Sequence, residues 1–191
     1  SGGVPGNIKT SGFTTGYNIN PTNSTLADRL SQVPAIDSEN GLWLGERGNS
    51  RFEITEPNLR QFLMDNYNRN YIEYRNGMID LSPFAVAEVK IPYSNYPETK
   101  DAWRDRRQRE DDNIRLAQWR KEGRSNPETQ KPYRYRAEIL RWRKENNLTW
   151  HELNDKETLQ LGPTITNNPI PGHLGGVGEK NLSMEDEDED E

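Results

Sequence analysis

The sequence contains no cysteine, which rules out a disulfide framework and a thiolate metal site, so any bound metal must be held by His, Asn or carboxylate oxygen. It has no apolar run long enough to cross a bilayer, and its first residues, Ser1-Gly2-Gly3-Val4-Pro5, do not form a signal-peptide pattern. No membrane anchor is expected. Apolar residues are scarce at 30%, and mean hydropathy is -1.12. A core must therefore lean on large side chains, of which there are five Trp, eight Tyr and four Phe, with long irregular stretches around it. Histidine is rarer still: there are two, His151 and His173. No internal repeat of useful length is visible.

Charge is plentiful but segregated. The net charge of -6 is set by the final seven residues, Glu185 to Glu191, all of them acidic. Residues 100 to 146 hold 15 of the 25 Lys and Arg against nine acids. A basic middle followed by an acidic tail fits a polyanion binder that carries its own competitor.

At 191 residues the chain is sized for one domain with extended ends. Because it starts at Ser1 rather than Met, it is expected to be a processed product or a piece of a longer polypeptide. Residues 1–40, rich in Gly, Ser, Thr, Asn and Pro, read as a linker or loosely ordered arm. A folded domain is expected over 41–182, and 183–191 as an acidic disordered tail. Pro57 opens a predicted helix to about Asn66 with Leu59, Phe62 and Leu63 on one face. Tyr71 to Tyr74 reads as a strand ending in the turn pair Asn76-Gly77, and Ala85 to Ile91 as a second strand stopped by Pro92. Residues 101–121 have helical composition, although Trp103, Arg107, Ile114 and Trp119 define no narrow stripe. A further helix from Tyr133 to Asn146 places Tyr135, Ile139 and Trp142 on one face. Leu148 to Asp155 follows, and Thr158 to Leu161 closes a hairpin back onto it. The expected fold class is α+β.

The two histidines frame the chemistry. His151 stands in Thr149-Trp150-His151-Glu152 and His173 in Gly172-His173-Leu174-Gly175-Gly176, with Asn167 between them. Two imidazoles, an amide oxygen and an adjacent carboxylate suffice to hold one hard or borderline divalent cation. Phosphodiester cleavage needs a base for water and a cation for the charge on phosphate and leaving oxygen, and histidine titrates near neutrality. The bland alternative is that His151 caps a strand and His173 sits exposed in a glycine turn, since closeness in sequence does not prove closeness in space.

Four blocks together point further: Gly41 to Ser50, Ile72 to Pro83, Thr149 to Glu152, and Gly172 to Gly176. In this order they resemble the toxin nucleases of the HNH/endonuclease VII superfamily, in the branch marked by a Trp-His-His or Trp-His-Glu triplet. The resemblance covers residues 41–179. It implies a ββα-metal (His-Me finger) core with additional helices, and a DNA endonuclease that works with one divalent ion, Mg²⁺ or Zn²⁺, with Mn²⁺ or Ni²⁺ as further candidates. It also implies the toxic C-terminal domain of a larger secreted bacterial toxin used in interbacterial competition. Such a domain would be monomeric alone, act in the target-cell cytoplasm and be neutralised by a cognate immunity protein.

Carried onto this chain, the resemblance makes Trp150 a packing residue, His151 a base or metal ligand, and Glu152 its neighbouring base or orienting group. His173 becomes the best metal ligand, and the expected catalytic set is His151, Glu152 and His173. Asn167 stands where many relatives have a His, giving the metal set His151, Asn167 and His173. Gly162 replaces the expected Val before Pro163, and Asp80 reads as a turn residue or a support behind the site rather than a catalyst. Arg136, Arg141, Arg143 and Lys144, leading into Trp150-His151, are the expected phosphate contacts, with Arg104, Arg107 and Arg115 as further candidates. As pure structure, the same charges form a solvated helix face. An RNase on the same scaffold and a degenerate, non-catalytic nucleic-acid-binding module are the rival readings.

Overall fold

The computed structural model describes residues 8–90, 141, 143–167, 171–176, 178–179 and 181–182. Among these the chain is a mixed α+β molecule with two antiparallel sheets and few helices. The predicted helix over 101–121, most of that over 133–146, Arg104, Arg107, Arg115, Arg136 and the acidic tail lie outside the described residues.

The first sheet is a meander of β1 (Gly41–Trp43), β2 (Arg51–Ile54), β3 (Tyr71–Arg75) and β4 (Met78–Asp80) in that spatial order. β3 and β4 are joined by Asn76-Gly77, with φ of 53° and 74°. Both residues occupy the left-handed region that a tight two-residue hairpin turn demands, which is why Asn-Gly appears there. Between β2 and β3 runs α2 (Pro57–Tyr67). Glu56 caps it, its carboxylate accepting from the Asn58 and Leu59 amides at 3.2 and 2.7 Å, and Pro57 occupies the first turn, where no amide is needed. Asn68 ends it with φ of 51°. Leu59 and Leu63 face inward and are fully buried, with Phe62 packed partly against the same cluster.

Strands β1 to β3 alternate while β4 is buried throughout, and their inward side chains meet in one core: Phe52, Ile54, Ile72 and Tyr74 from the central strands, with Trp43, Val33 and Phe84 around them. Trp43 anchors it, its ring centre 4.9 Å from Phe52 and 5.0 Å from Tyr74. Aromatic pairs at such distances contribute about 0.5–1.5 kcal/mol beyond the area they bury. An apolar-poor sequence thus builds its main core from a few large rings.

The second sheet holds β5 (Ala87–Lys90), β6 (Leu148–Glu152) and β7 (Thr158–Pro163) in the order β5-β7-β6. Its apolar cluster is smaller: Ala87, Val89, Trp150, Leu159 and Leu161. Strands β6 and β7 pair as the expected hairpin, with His151 opposite Gln160.

Residues 8–40 are largely irregular, as composition indicates, but they are not loose. Lys9 adds a backbone bridge to Glu88 on β5, and the Gly16 amide donates to Asp80 Oδ1 on β4 at 2.9 Å. A capped single turn, α1 (Leu26–Leu30), carries the buried Arg29, which reaches the Asn76 carbonyl at 2.8 Å. Hydrogen bonding adds to the burial of Val33 and the packing of Leu30 and Ile8 against the two apolar clusters. Asp80, Glu88 and Glu179, all buried, accept backbone amides from this segment, the last from Asn23 and Ser24 at 2.6 Å each. A carboxylate satisfied by several N–H donors can be buried, and it orders the polar chain that supplies them.

Candidate functional site

The site lies where the β6–β7 hairpin meets the chain that follows it. After β7 a 3₁₀ turn, Thr164–Asn167, is followed by the loop bearing His173, after which Gly176, Gly178, Glu179, Asn181 and Leu182 are helical. A cavity of about 430 Å³ opens there, lined by His151, Glu152, Asn167 and His173 together with Gln32 and Gly175. All four residues singled out from the sequence for chemistry therefore share one cavity.

Folding brings the two histidines together. Their ring centres are 4.9 Å apart and the planes are inclined by 68°. Rings at this separation are close enough for one cation to be shared between them. His151 is only 6% exposed. Burial pushes its pKa well below the ordinary histidine value, and the neighbouring His173 pushes it down further. Burial also lowers His173, opposed in part by its contact with the Pro171 carbonyl, 3.5 Å from Nδ1. Both imidazoles are thereby neutral at pH 7, the form that ligates metals.

Asn167 lies beside them. Its Nδ2 donates to the Trp150 carbonyl at 3.1 Å, and because a carbonyl only accepts, the amide's oxygen is the atom left for a further partner. Two neutral imidazoles and an amide oxygen fit a divalent cation. Among the described residues, however, no three of the His, Cys, Asp and Glu side chains form a metal-holding group, so Glu152 does not complete a triad with the histidines. It is half-buried at the end of β6, next in sequence to His151. Trp150 is buried in the apolar cluster of its sheet, the packing position expected.

Gly175 and Gly176 let the loop press against the end of β6. A Cβ on Gly175 would stand 2.9 Å from the Glu152 carbonyl and 3.2 Å from His173 Nε2, and one on Gly176 2.7 Å from the Leu153 carbonyl. A side chain at either position would force the His173 loop outward.

Of the basic residues expected to touch phosphate, Arg141 and Lys144 are exposed and Arg143 is half-buried, all helical in the segment leading into β6. Among the described cavity-lining residues none is Lys or Arg. Asp80 ends strand β4 rather than standing in a turn, its Oδ1 accepting from the Ser82 and Gly16 amides at 3.1 and 2.9 Å. Sequence reasoning assigned no role to Tyr74, Asn154 or Glu179, which contact the His173 loop or one another. Tyr74 and Asn154 both fall inside segments singled out for other reasons, but nothing in their spacing marks them as partners of a loop so far along the chain. No family model, curated protein or solved structure matches this chain, so the reading of the site rests on its own geometry and on the motif resemblance.

Proposed function

We propose that this protein is a divalent-metal-dependent endonuclease that hydrolyses phosphodiester bonds in DNA. The observation that carries the reading is the meeting of the only two histidines in the chain at 4.9 Å in a shared cavity. Hairpin β6–β7 with the helical residues after Gly175 would form the ββα-metal core. His151, His173 and the amide oxygen of Asn167 would hold the cation. When bound there, a divalent ion supplies charge neutralisation for the scissile phosphate and the departing oxygen.

The chain's own residues do the rest. His173 and His151, both neutral, offer lone pairs without first losing protons. With His151 engaged as a ligand, Glu152 is the neighbouring group to accept the proton of the attacking water. In the alternative arrangement His151 takes that proton and Glu152 orients it. Arg141, Arg143 and Lys144 contact the phosphate backbone without reading bases. DNA as the substrate, delivery as the C-terminal part of a secreted toxin, action in the target-cell cytoplasm and capture by an immunity protein are supported by the motif resemblance alone.

Purified protein with Mg²⁺, Mn²⁺, Ni²⁺ or Zn²⁺ should nick plasmid DNA, and His151→Ala or His173→Ala should reduce the rate at least about 100-fold while the fold is retained. Both variants cutting like the parent would sink the assignment. A parallel digest of RNA decides between DNase and RNase activity, and metal binding without cleavage of either nucleic acid would identify a degenerate binding module.

A further inference from the structure

The loop carrying His173 is held from both sides. Tyr74 Oη donates to the Gly172 carbonyl at 2.9 Å, and Asn154 Nδ2 donates to the Leu174 carbonyl at 2.8 Å. The first belongs to the peptide that enters His173 and the second to the peptide that leaves Leu174. With one plane held before His173 and another after Leu174, the two-residue segment His173-Leu174 is pinned at both ends, which narrows the directions its side chains can take.

The two donors come from different parts of the molecule. Tyr74 stands on β3 in the aromatic core and is fully buried, while Asn154, 5% exposed, follows β6. Each is itself kept in place. Burial holds the Tyr74 phenol well above its ordinary pKa, so it keeps the proton it donates. Asn154 Nδ2 also donates to Glu179 Oε1 at 3.0 Å, and since carboxylates and carbonyls only accept, the amide has one orientation. Glu179 in turn accepts from the Asn23 and Ser24 amides and from the Ser24 hydroxyl. Arg29 Nη1 donates to the Ser24 carbonyl at 2.8 Å, closing a buried network from the N-terminal segment to the site.

We propose that Tyr74 and Asn154 are positioning residues of the metal centre: by donating to the carbonyls on either side of His173, they hold its ring at the distance from His151 at which one cation can be shared. This rests on the function proposed above. It also gives the upstream block Ile72 to Pro83 a task at a site whose other members all lie beyond residue 150, apart from Gln32 at the cavity wall.

The test uses the full chain and the metal alone. Tyr74→Phe removes one oxygen and should fold. In the metal-free protein it should weaken the NOE between the two imidazoles, which are easily assigned because no others exist in the chain. By calorimetry it should weaken Ni²⁺ binding about ten-fold, as loss of an outer partner of a metal-binding histidine does. Asn154→Ala should act in the same direction. In a His173→Gln background, Tyr74→Phe should leave residual Ni²⁺ affinity unchanged, because no ring remains to be placed. An equal loss in both backgrounds would reduce Tyr74 to a structural role and overturn the proposal. An unchanged NOE with unchanged Ni²⁺ affinity in folded Tyr74→Phe would overturn it too, even if the protein proves to be a nuclease. If the parent neither binds Ni²⁺ nor cuts DNA, the nuclease reading fails, and the inter-ring NOE still decides whether these two donors place His173.

Discussion

The two sheets are held by different physics. The four-stranded sheet packs Trp43, Phe52, Ile54, Leu59, Leu63, Ile72, Tyr74 and Phe84 into one apolar cluster, most of them fully buried. The three-stranded sheet buries five apolar residues and, beside them, Glu88, His151, Thr158 and Gln160, with Asn154 and Glu179 close by. The first is a scaffold whose stability grows with apolar area. The second carries the candidate site and depends on buried polar groups finding their partners, which is more costly when any one partner is lost. The lesson is that the candidate site sits in the half of the molecule with least apolar support, fastened to the half with most through Tyr74 and the N-terminal segment.

That contrast can be broken from either side. The largest effect is expected at Phe52: Phe52→Ala in the aromatic core should cost about 3–5 kcal/mol and bring a pronounced fall in Tm, whereas His173→Ala should change Tm little while removing cleavage. Equal destabilisation by the two substitutions would erase the distinction between scaffold and site. Next comes Glu179. Glu179→Ala leaves the Asn23 and Ser24 amides and the Asn154 side chain without their acceptor and should cost about 3 kcal/mol in urea denaturation. A cost under about 0.5 kcal/mol would show that the N-terminal segment is not fastened through this carboxylate.

The smallest effect is with pH. Both histidines have folded pKa values below their unfolded ones, so in acid the unfolded chain takes up protons that the folded chain refuses. Stability is therefore complete above the unfolded value of about 6.5 and is lost as pH falls from there toward the folded values. Between pH 7 and 5 the protein should become progressively easier to denature with urea. His151→Gln should flatten that slope, and an unchanged slope would assign the acid sensitivity to other groups.

Much of the scaffold could be read in advance because its signals are local. Pro57 marked the start of α2, Asn76-Gly77 marked the β3–β4 turn, and the short strand-like run Thr158 to Leu161 marked the hairpin that carries His151. The N-terminal segment could not be read, because its order comes in part from carboxylates 64 to 156 residues away in sequence. Glu88 shows the difficulty. In Ala87-Glu88-Val89 strand alternation assigns it to solvent, yet all three are buried, because Lys9 and Thr14 cover the other face. The histidines, Glu152 and Asn167 were recognised by type and motif, and the structure places them in one cavity. The hydrogen bonds that aim His173 were invisible, since no pattern in a linear sequence links Tyr74 to a carbonyl 98 residues later.

The bond between Ser24 and Glu179 spans 155 residues. Contacts of such reach bring the loop-closure cost of nearly the whole polypeptide and reward folding only once distant parts are already in place. The segment at Asn23 and Ser24 therefore cannot be fastened until Glu179 is in reach, so the support that the pocket around His173 draws from it waits on a contact between distant stretches of sequence.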